Sequence, residues 1–180
     1  MKPALELTSV PPWATAACRP SADTSGRYWT IVALGGDGAA IARAWCDEIV
    51  ASGRESGLSV HEFADGDDDA ARAALLADVA VARVGWRLMM AGPAASCLRL
   101  RAAATAADVA DDEITVASTD VELRAVQCVH CRAVTTAAVQ LEGVLPCGGC
   151  DRSLFVYYHI SRRQGAHLGF MVDAENPVAS

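Results

Sequence analysis

The chain has 180 residues and a formal charge of −7, enough length for one ordinary domain or two small ones. That acidity speaks against a general nucleic-acid binder, which gathers basic side chains against phosphates. Hydrophobic residues make up 52%, much of it alanine, and no run approaches the roughly 18 continuous apolar residues of a membrane-spanning helix.

The N-terminus lacks a basic start followed by an apolar core, so a soluble cytoplasmic protein is expected. Residues 1–26 contain Pro3, Pro11, Pro12 and Pro20 and show no period, which predicts an extended arm. Trp13 is its one anchor, either docked on a surface or incidental to a solvated linker. Tyr28–Leu34 (YWTIVAL) is a short, apolar, β-branched and aromatic run and reads as a buried strand. Gly35, Gly36, Asp37 and Gly38 follow, then a helix with Ile41, Trp45 and Ile49 on one face and Gly53 as its stop. Leu58–Phe63 completes a βαβ unit. Residues 64–69 (ADGDDD) predict a solvated acidic turn, because the spacing lacks the full calcium-loop pattern and its closing Glu. A helix over 70–80, a strand over 84–91, a break at Gly92-Pro93, an alanine-rich helix over 94–107 and a short strand over 114–117 complete the first part. Strands alternating with helices imply a parallel sheet covered on both faces.

Composition changes near residue 120. Residues 1–120 carry 10 Lys and Arg against 17 Asp and Glu, whereas 121–180 carry five of each. In the second part Thr135, Ala137, Val139 and Leu141 alternate with polar and small residues, as do Leu154, Val156, Tyr158 and Ile160 with Phe155, Tyr157 and His159. Gly165, His167 and Gly169 predict a turn before Phe170. The expected fold class is therefore α/β. An arm over 1–26 precedes a small parallel-sheet, nucleotide-binding-like domain over 27–120, and a small antiparallel β, zinc-ribbon-like module follows over 121–180.

The strongest motif is Cys128-Val-His-Cys131, fifteen intervening residues, then Cys147-Gly-Gly-Cys150. Two CxxC knuckles at this separation match a four-thiolate site, with the intervening residues expected to form a hairpin that returns the second knuckle to the first. Tetrahedral zinc suits four sulfurs and is closed to water by them, which marks a structural site. Iron also accepts tetrahedral sulfur. A disulfide pair is disfavoured without an export signal. His130 is expected to be exposed, since four cysteines already fill a tetrahedron. Cys18, Cys46 and Cys97 are scattered and read as small core or surface residues.

Two weaker signals accompany it. The glycine turn could cradle a phosphate at a helix N-terminus, which makes Gly35, Gly36, Gly38 and the break glycine Gly92 candidate nucleotide-binding residues. Asp37 puts negative charge where a pyrophosphate would lie, and a plain strand-to-helix turn explains the same glycines. Phe155, Tyr157, His159, Arg162 and Arg163 form a candidate docking segment, since exposed aromatics and arginines favour interfaces. A strand with a solvated basic turn is the alternative. His159 and His167 could serve acid–base chemistry, although no nucleophile or carboxylate stands near them in the sequence.

Residues 27–118 resemble the nicotinamide-nucleotide half of ferredoxin-reductase-type proteins in TIVALGGDG, LMMAGPAASCLRLRAAA and DDEITVAS. They depart from it at Ala39-Ala40, where Thr/Ser-Pro is usual, and at Ala91, where Cys often precedes Gly-Pro. Residues 121–175, and LPCGGCDRSLFVYYHISRR above all, resemble the C-terminal domain of DmmA-type subunits of bacterial dimethylamine monooxygenase. The resemblance implies an accessory subunit, not catalytic alone, of an enzyme that oxidatively demethylates a secondary amine with NADPH and O₂. The implied partners are a haem oxygenase subunit and a flavin/iron–sulfur reductase subunit, with zinc or iron at the four cysteines and no nucleic acid or membrane. A stand-alone NAD(P)-binding oxidoreductase and a rubredoxin-like electron relay are the alternatives; a nucleic-acid-binding ribbon is disfavoured by charge.

Overall fold

The computed structural model describes residues 3–54 and 57–172. The first two residues of the arm and the last eight of the 121–180 module lie outside the described residues. Two sheets make up the fold. The first is a four-stranded parallel sheet of β1 (Tyr28–Leu34), β2 (Leu58–Phe63), β3 (Trp86–Gly92) and β4 (Ile114–Ser118), in the order β2-β1-β3-β4. The strands are linked through α1 (Gly35–Ala51), α2 (Asp68–Val79) and α3 (Ala94–Ala106).

Strand alternation divides the core. Val32, Leu34, Leu88, Met90 and Val116 face α2 and α3, meeting Ala71, Leu75, Cys97 and Leu100. Trp29, Ile31, Ala33, Met89 and Ala117 face α1, meeting Ile41, Trp45 and Ile49. β1 and β3 are therefore buried on both faces, as their unbroken apolar runs require.

The second sheet runs β6-β5-β9-β8-β7, formed by β5 (Leu123–Cys128), β6 (Val134–Ala138), β7 (Val144–Pro146), β8 (Ser153–Ser161) and β9 (Ala166–Met171). It is antiparallel except for β5 and β9, which run parallel. β6 and β7 sit on opposite edges, so the residues between the knuckles do not form the expected hairpin. Nor do His167 and Gly169 belong to a turn: the turn is residues 162–165, and both lie inside β9. A Cβ at Gly169 would come within 2.7 Å of Val126 Cγ1, so glycine there serves strand packing.

The arm is docked instead of extended into solvent. Short 3-10 turns at Leu5–Leu7 and Pro12–Ala14 interrupt it. Val10 and Ala14 are buried against Leu98 of α3 and Ile160 of β8, with Trp13 packed alongside. Ser9 Oγ accepts the Ile160 amide at 2.8 Å. Further along, the Trp45 indole donates to the Pro20 carbonyl (2.9 Å) and that of Trp29 to the Asp23 carbonyl (2.7 Å), so two buried tryptophans find their hydrogen-bond partners on the arm. The arm thus ties α1, α3 and the second sheet together. Another joint is the turn at Gly165 (φ +60°), where a Cβ would lie 2.4 Å from the Leu98 carbonyl oxygen.

Candidate metal centre

The two CxxC knuckles are the turns of the β5–β6 and β7–β8 hairpins, and they repeat one local geometry. The Cys128 amide donates to the Ala133 carbonyl and the Cys147 amide to the Arg152 carbonyl, each at 2.9 Å. The fourth residue after each of these cysteines donates back to its carbonyl, Arg132 to Cys128 and Asp151 to Cys147. Arg132 (φ +66°) and Asp151 (φ +55°) both adopt the left-handed conformation. The knuckles differ at the third position. His130 is exposed, whereas a Cβ at Gly149 would lie 2.6 Å from Ala133 Cβ and 3.2 Å from Cys131 Sγ. Glycine is required there because the second knuckle closes onto the first.

The four sulfurs of Cys128, Cys131, Cys147 and Cys150 lie within 4.8 Å of one another. Cys131 and Cys147 are 3.5 Å apart and Cys128 and Cys150 are 3.9 Å apart. A tetrahedron with zinc–sulfur bonds of about 2.3 Å has edges of about 3.8 Å, so the arrangement could hold a metal ion. Cys128 and Cys147 are fully buried among Val126, Leu145, Leu154 and Val156. The sulfur cluster is therefore one end of the second sheet's core.

The Gly149 amide, donating to Cys147 Sγ at 3.4 Å, lowers the Cys147 thiol to about 7. Cys150 goes the other way: the Arg152 amide pulls its thiol down, but burial and the three neighbouring sulfurs outweigh it and raise it to about 12. Without a cation the crowded sulfurs oppose one another's ionisation. A bound cation reverses that logic, because it rewards every added negative charge.

The other sequence-predicted residues fall in three places. Gly35, Gly36, Gly38 and Gly92 meet at the carboxyl ends of β1 and β3, where the strand order reverses, the usual position of a ligand crevice in such sheets. Gly38 packs on the Ala91 carbonyl and Gly92 on Leu34, while Gly36 faces open space. Asp37 stands in the first turn of α1, and the Asp65 carboxylate lies against Gly35. Phe155 and Tyr157 line a shallow apolar groove with Phe170, Met171 and Val172. The Tyr157 and Phe170 rings meet edge-on at 5.6 Å, and Tyr157 is 51% exposed. His159 lies in the irregular stretch of β8 between Val156 and Ile160, and Arg162 and Arg163 are exposed on the following turn. Phe155 and Tyr157 are the third and fifth of the nine residues of β8, and Arg162 and Arg163 follow its last residue.

One feature escaped the sequence. It is a polar chain that joins β1, β2 and β3 of the first sheet to α2. The Trp86 indole donates to Thr30 Oγ1, which donates to Asp78; His61 Nε2 lies 2.9 Å from Asp78 and 3.2 Å from Ser59 Oγ. Ser59 and Asp78 address the same ring nitrogen, so the group cannot relay a proton through the imidazole as a catalytic triad does. Hydrogen bonds from His61, Thr30 and Ser59 hold the Asp78 carboxyl below its ordinary value in spite of burial, which pulls the other way.

His167, which the sequence offered for acid–base chemistry, is 1% exposed, with Nδ1 unpartnered. Burial, helped by the charge of Arg124, lowers it to about 4. Its folded value lies below the unfolded 6.5, so stability is full above pH 6.5 and falls as the pH drops toward 4. At pH 5 the loss is about 2 kcal/mol. Urea titrations at pH 7 and pH 5 are expected to show His167→Phe losing that much less than the parent; equal losses would mean that His167 is already charged when folded.

Among the described residues no helix is long and apolar enough to cross a membrane. Residues 125–170 match the family model for the dimethylamine monooxygenase subunit DmmA-like, C-terminal domain. The chain is 42% identical over 96 residues to the heme-dependent oxidative N-demethylase delta subunit of Ectopseudomonas mendocina (strain ymp). That alignment covers 53% of this chain and 54% of the relative, about half the length of each. No solved structure matches the chain. Both paired knuckles lie inside the segment that matches the DmmA-like C-terminal domain.

Proposed function

We propose that the chain is an accessory subunit of a haem-dependent oxidative N-demethylase, carrying neither the haem nor the flavin. In this reading it aligns an oxygenase subunit with a reductase subunit that draws electrons from NADPH, so that O₂ demethylates a secondary amine such as dimethylamine. Residues 121–180 act as a unit braced by zinc at Cys128, Cys131, Cys147 and Cys150. The observation that carries the proposal is the sulfur cluster itself, which lies in the segment matching the DmmA-like domain. Four thiolates around one ion leave no open coordination position for a substrate, so the site's contribution is rigidity.

Rigidity is useful where a surface must be presented, and the strands that bury the cysteines on one face expose Tyr157, Phe170 and Val144 on the other. Apolar side chains grouped in this way mark interaction sites. The partners are the haem and flavin/iron–sulfur subunits, and the compartment is the cytoplasm. Weak NADPH binding at Gly36 and its neighbours, over residues 27–120, is a separable part of the proposal.

The test is purification of the tagged chain from its native host, with metal analysis of the complex. One zinc per chain and co-purifying haem and flavin proteins are expected; iron would instead favour an electron relay. Tyr157→Ser and Phe170→Ser are expected to weaken association by a factor of about 10 or more each, with the metal content unchanged. Full retention of partners by the double variant would remove this face from the proposal.

A further inference from the structure

Arg124, on β5, is 4% exposed, yet no ion pair to it is found among the described residues. Its Nη1 donates to the neutral Val139 carbonyl at 2.7 Å, and its Nε has no partner. The carboxylate whose field reaches it, Asp120, uses Oδ1 to accept the Glu122 amide. Beside it His167 is held neutral by burial, so the positive charge here is that of Arg124, opposed by the field of Asp120 without an ion pair. Burial without compensation is expensive for a guanidinium, which cannot shed its proton. Such a group calls for an anion.

The side chain also has an opening. Arg124 lines a cleft of about 510 Å³ between the arm and the second sheet, together with Pro3, Leu5, Thr15, Gln140, Leu141 and Tyr158. The cleft therefore combines a guanidinium with a phenol, an amide and a hydroxyl, and its other walls are apolar. We propose that this cleft binds a carboxylate carrying a short apolar body, the carboxylate on Arg124 and the body against Leu5 and Leu141. A guanidinium pairs with a planar carboxylate through two parallel hydrogen bonds. The apolar walls select an organic acid over chloride or phosphate. Two sources offer this chemistry, a free short-chain acid or the carboxyl terminus of another polypeptide. Because the arm forms one wall, the ligand also fastens the arm to the second sheet.

Thermal unfolding of the full-length, metal-loaded chain tests this, with hexanoate, N-acetyl-leucine and hexanamide as probes at constant ionic strength. Either acid at saturation is expected to raise Tm by several degrees, and the neutral amide is not. Tighter binding of N-acetyl-leucine assigns the site to a chain terminus, and tighter binding of hexanoate to a free acid. Arg124→Gln is expected to abolish the shift. Because that change also removes the bond to Val139, Gln140→Glu provides a second variant: an exposed, isosteric substitution expected to weaken binding several-fold by like charge. No shift with either acid, or equal shifts in parent and Gln140→Glu, would overturn the proposal.

Discussion

Replacing Cys128 or Cys147 by serine is expected to abolish metal retention and to unfold the second sheet while the first keeps its structure. Both residues are fully buried, packed with Val126, Leu145, Leu154 and Val156. A module of this size buries too little apolar surface to stand on its own core, whereas a structural zinc site supplies an apparent free energy of about 10–16 kcal/mol in small peptides at neutral pH. Losing one of four thiolates forfeits much of that and leaves three sulfurs crowded together. Cys131 and Cys150 are half-buried, so serine there should be milder. Cys46, half-buried on α1 and remote from the cluster, serves as the control. Metal analysis and amide NMR spectra of each variant read the outcome, and a chelator should reproduce it in the parent. A metal-stripped parent with unchanged β5–β9 resonances would show that the sulfurs merely neighbour one another.

The first sheet was legible in sequence because its signals are local. Tyr28–Leu34 and Trp86–Gly92 are unbroken apolar runs, and the period of Ile41, Trp45 and Ile49 sets the α1 face. Its errors are also local. Val84 is 93% exposed and Gly85 takes φ +90°, so β3 starts at Trp86, two residues later than expected. α2 begins at Asp68, inside the acidic run expected to be a turn, because carboxylates in a first helical turn are favoured by the backbone N–H groups there. The second sheet hid more. CxxC spacing was enough to place the sulfurs, but the parallel β5–β9 pairing and the separation of β6 from β7 join distant residues and leave no period to read. The docked arm was hidden for the same reason: Ser9 meets Ile160 across 151 residues. Arg124 reads as an ordinary strand residue and His167 as part of a turn, until the fold buries both with Arg124 Nε and His167 Nδ1 unpartnered.

Gly38→Ala is expected to destabilise the chain by about 1–3 kcal/mol, while Gly36→Ala, two residues away, stabilises it by about 0.5–1 kcal/mol. The difference follows from what each new Cβ would meet. At Gly38 it lies 2.6 Å from the Ala91 carbonyl oxygen and 3.2 Å from its carbon. These are backbone atoms of a strand paired on both sides, so α1 must lift off β3 to make room. At Gly36 nothing lies within 4 Å and the backbone is not left-handed, so alanine only reduces the freedom of the unfolded chain. The pair also separates the two readings of the turn. Packing of α1 on β3 accounts for Gly38 without any ligand, whereas a phosphate would have to approach at Gly36, past the carboxylates of Asp37 and Asp65. Urea midpoints measured alongside NADPH titration decide between them. A Gly36→Ala chain that is stabilised and binds NADPH as the parent does would assign the glycines to packing alone. Stabilisation with NADPH affinity lost would place the dinucleotide at this turn.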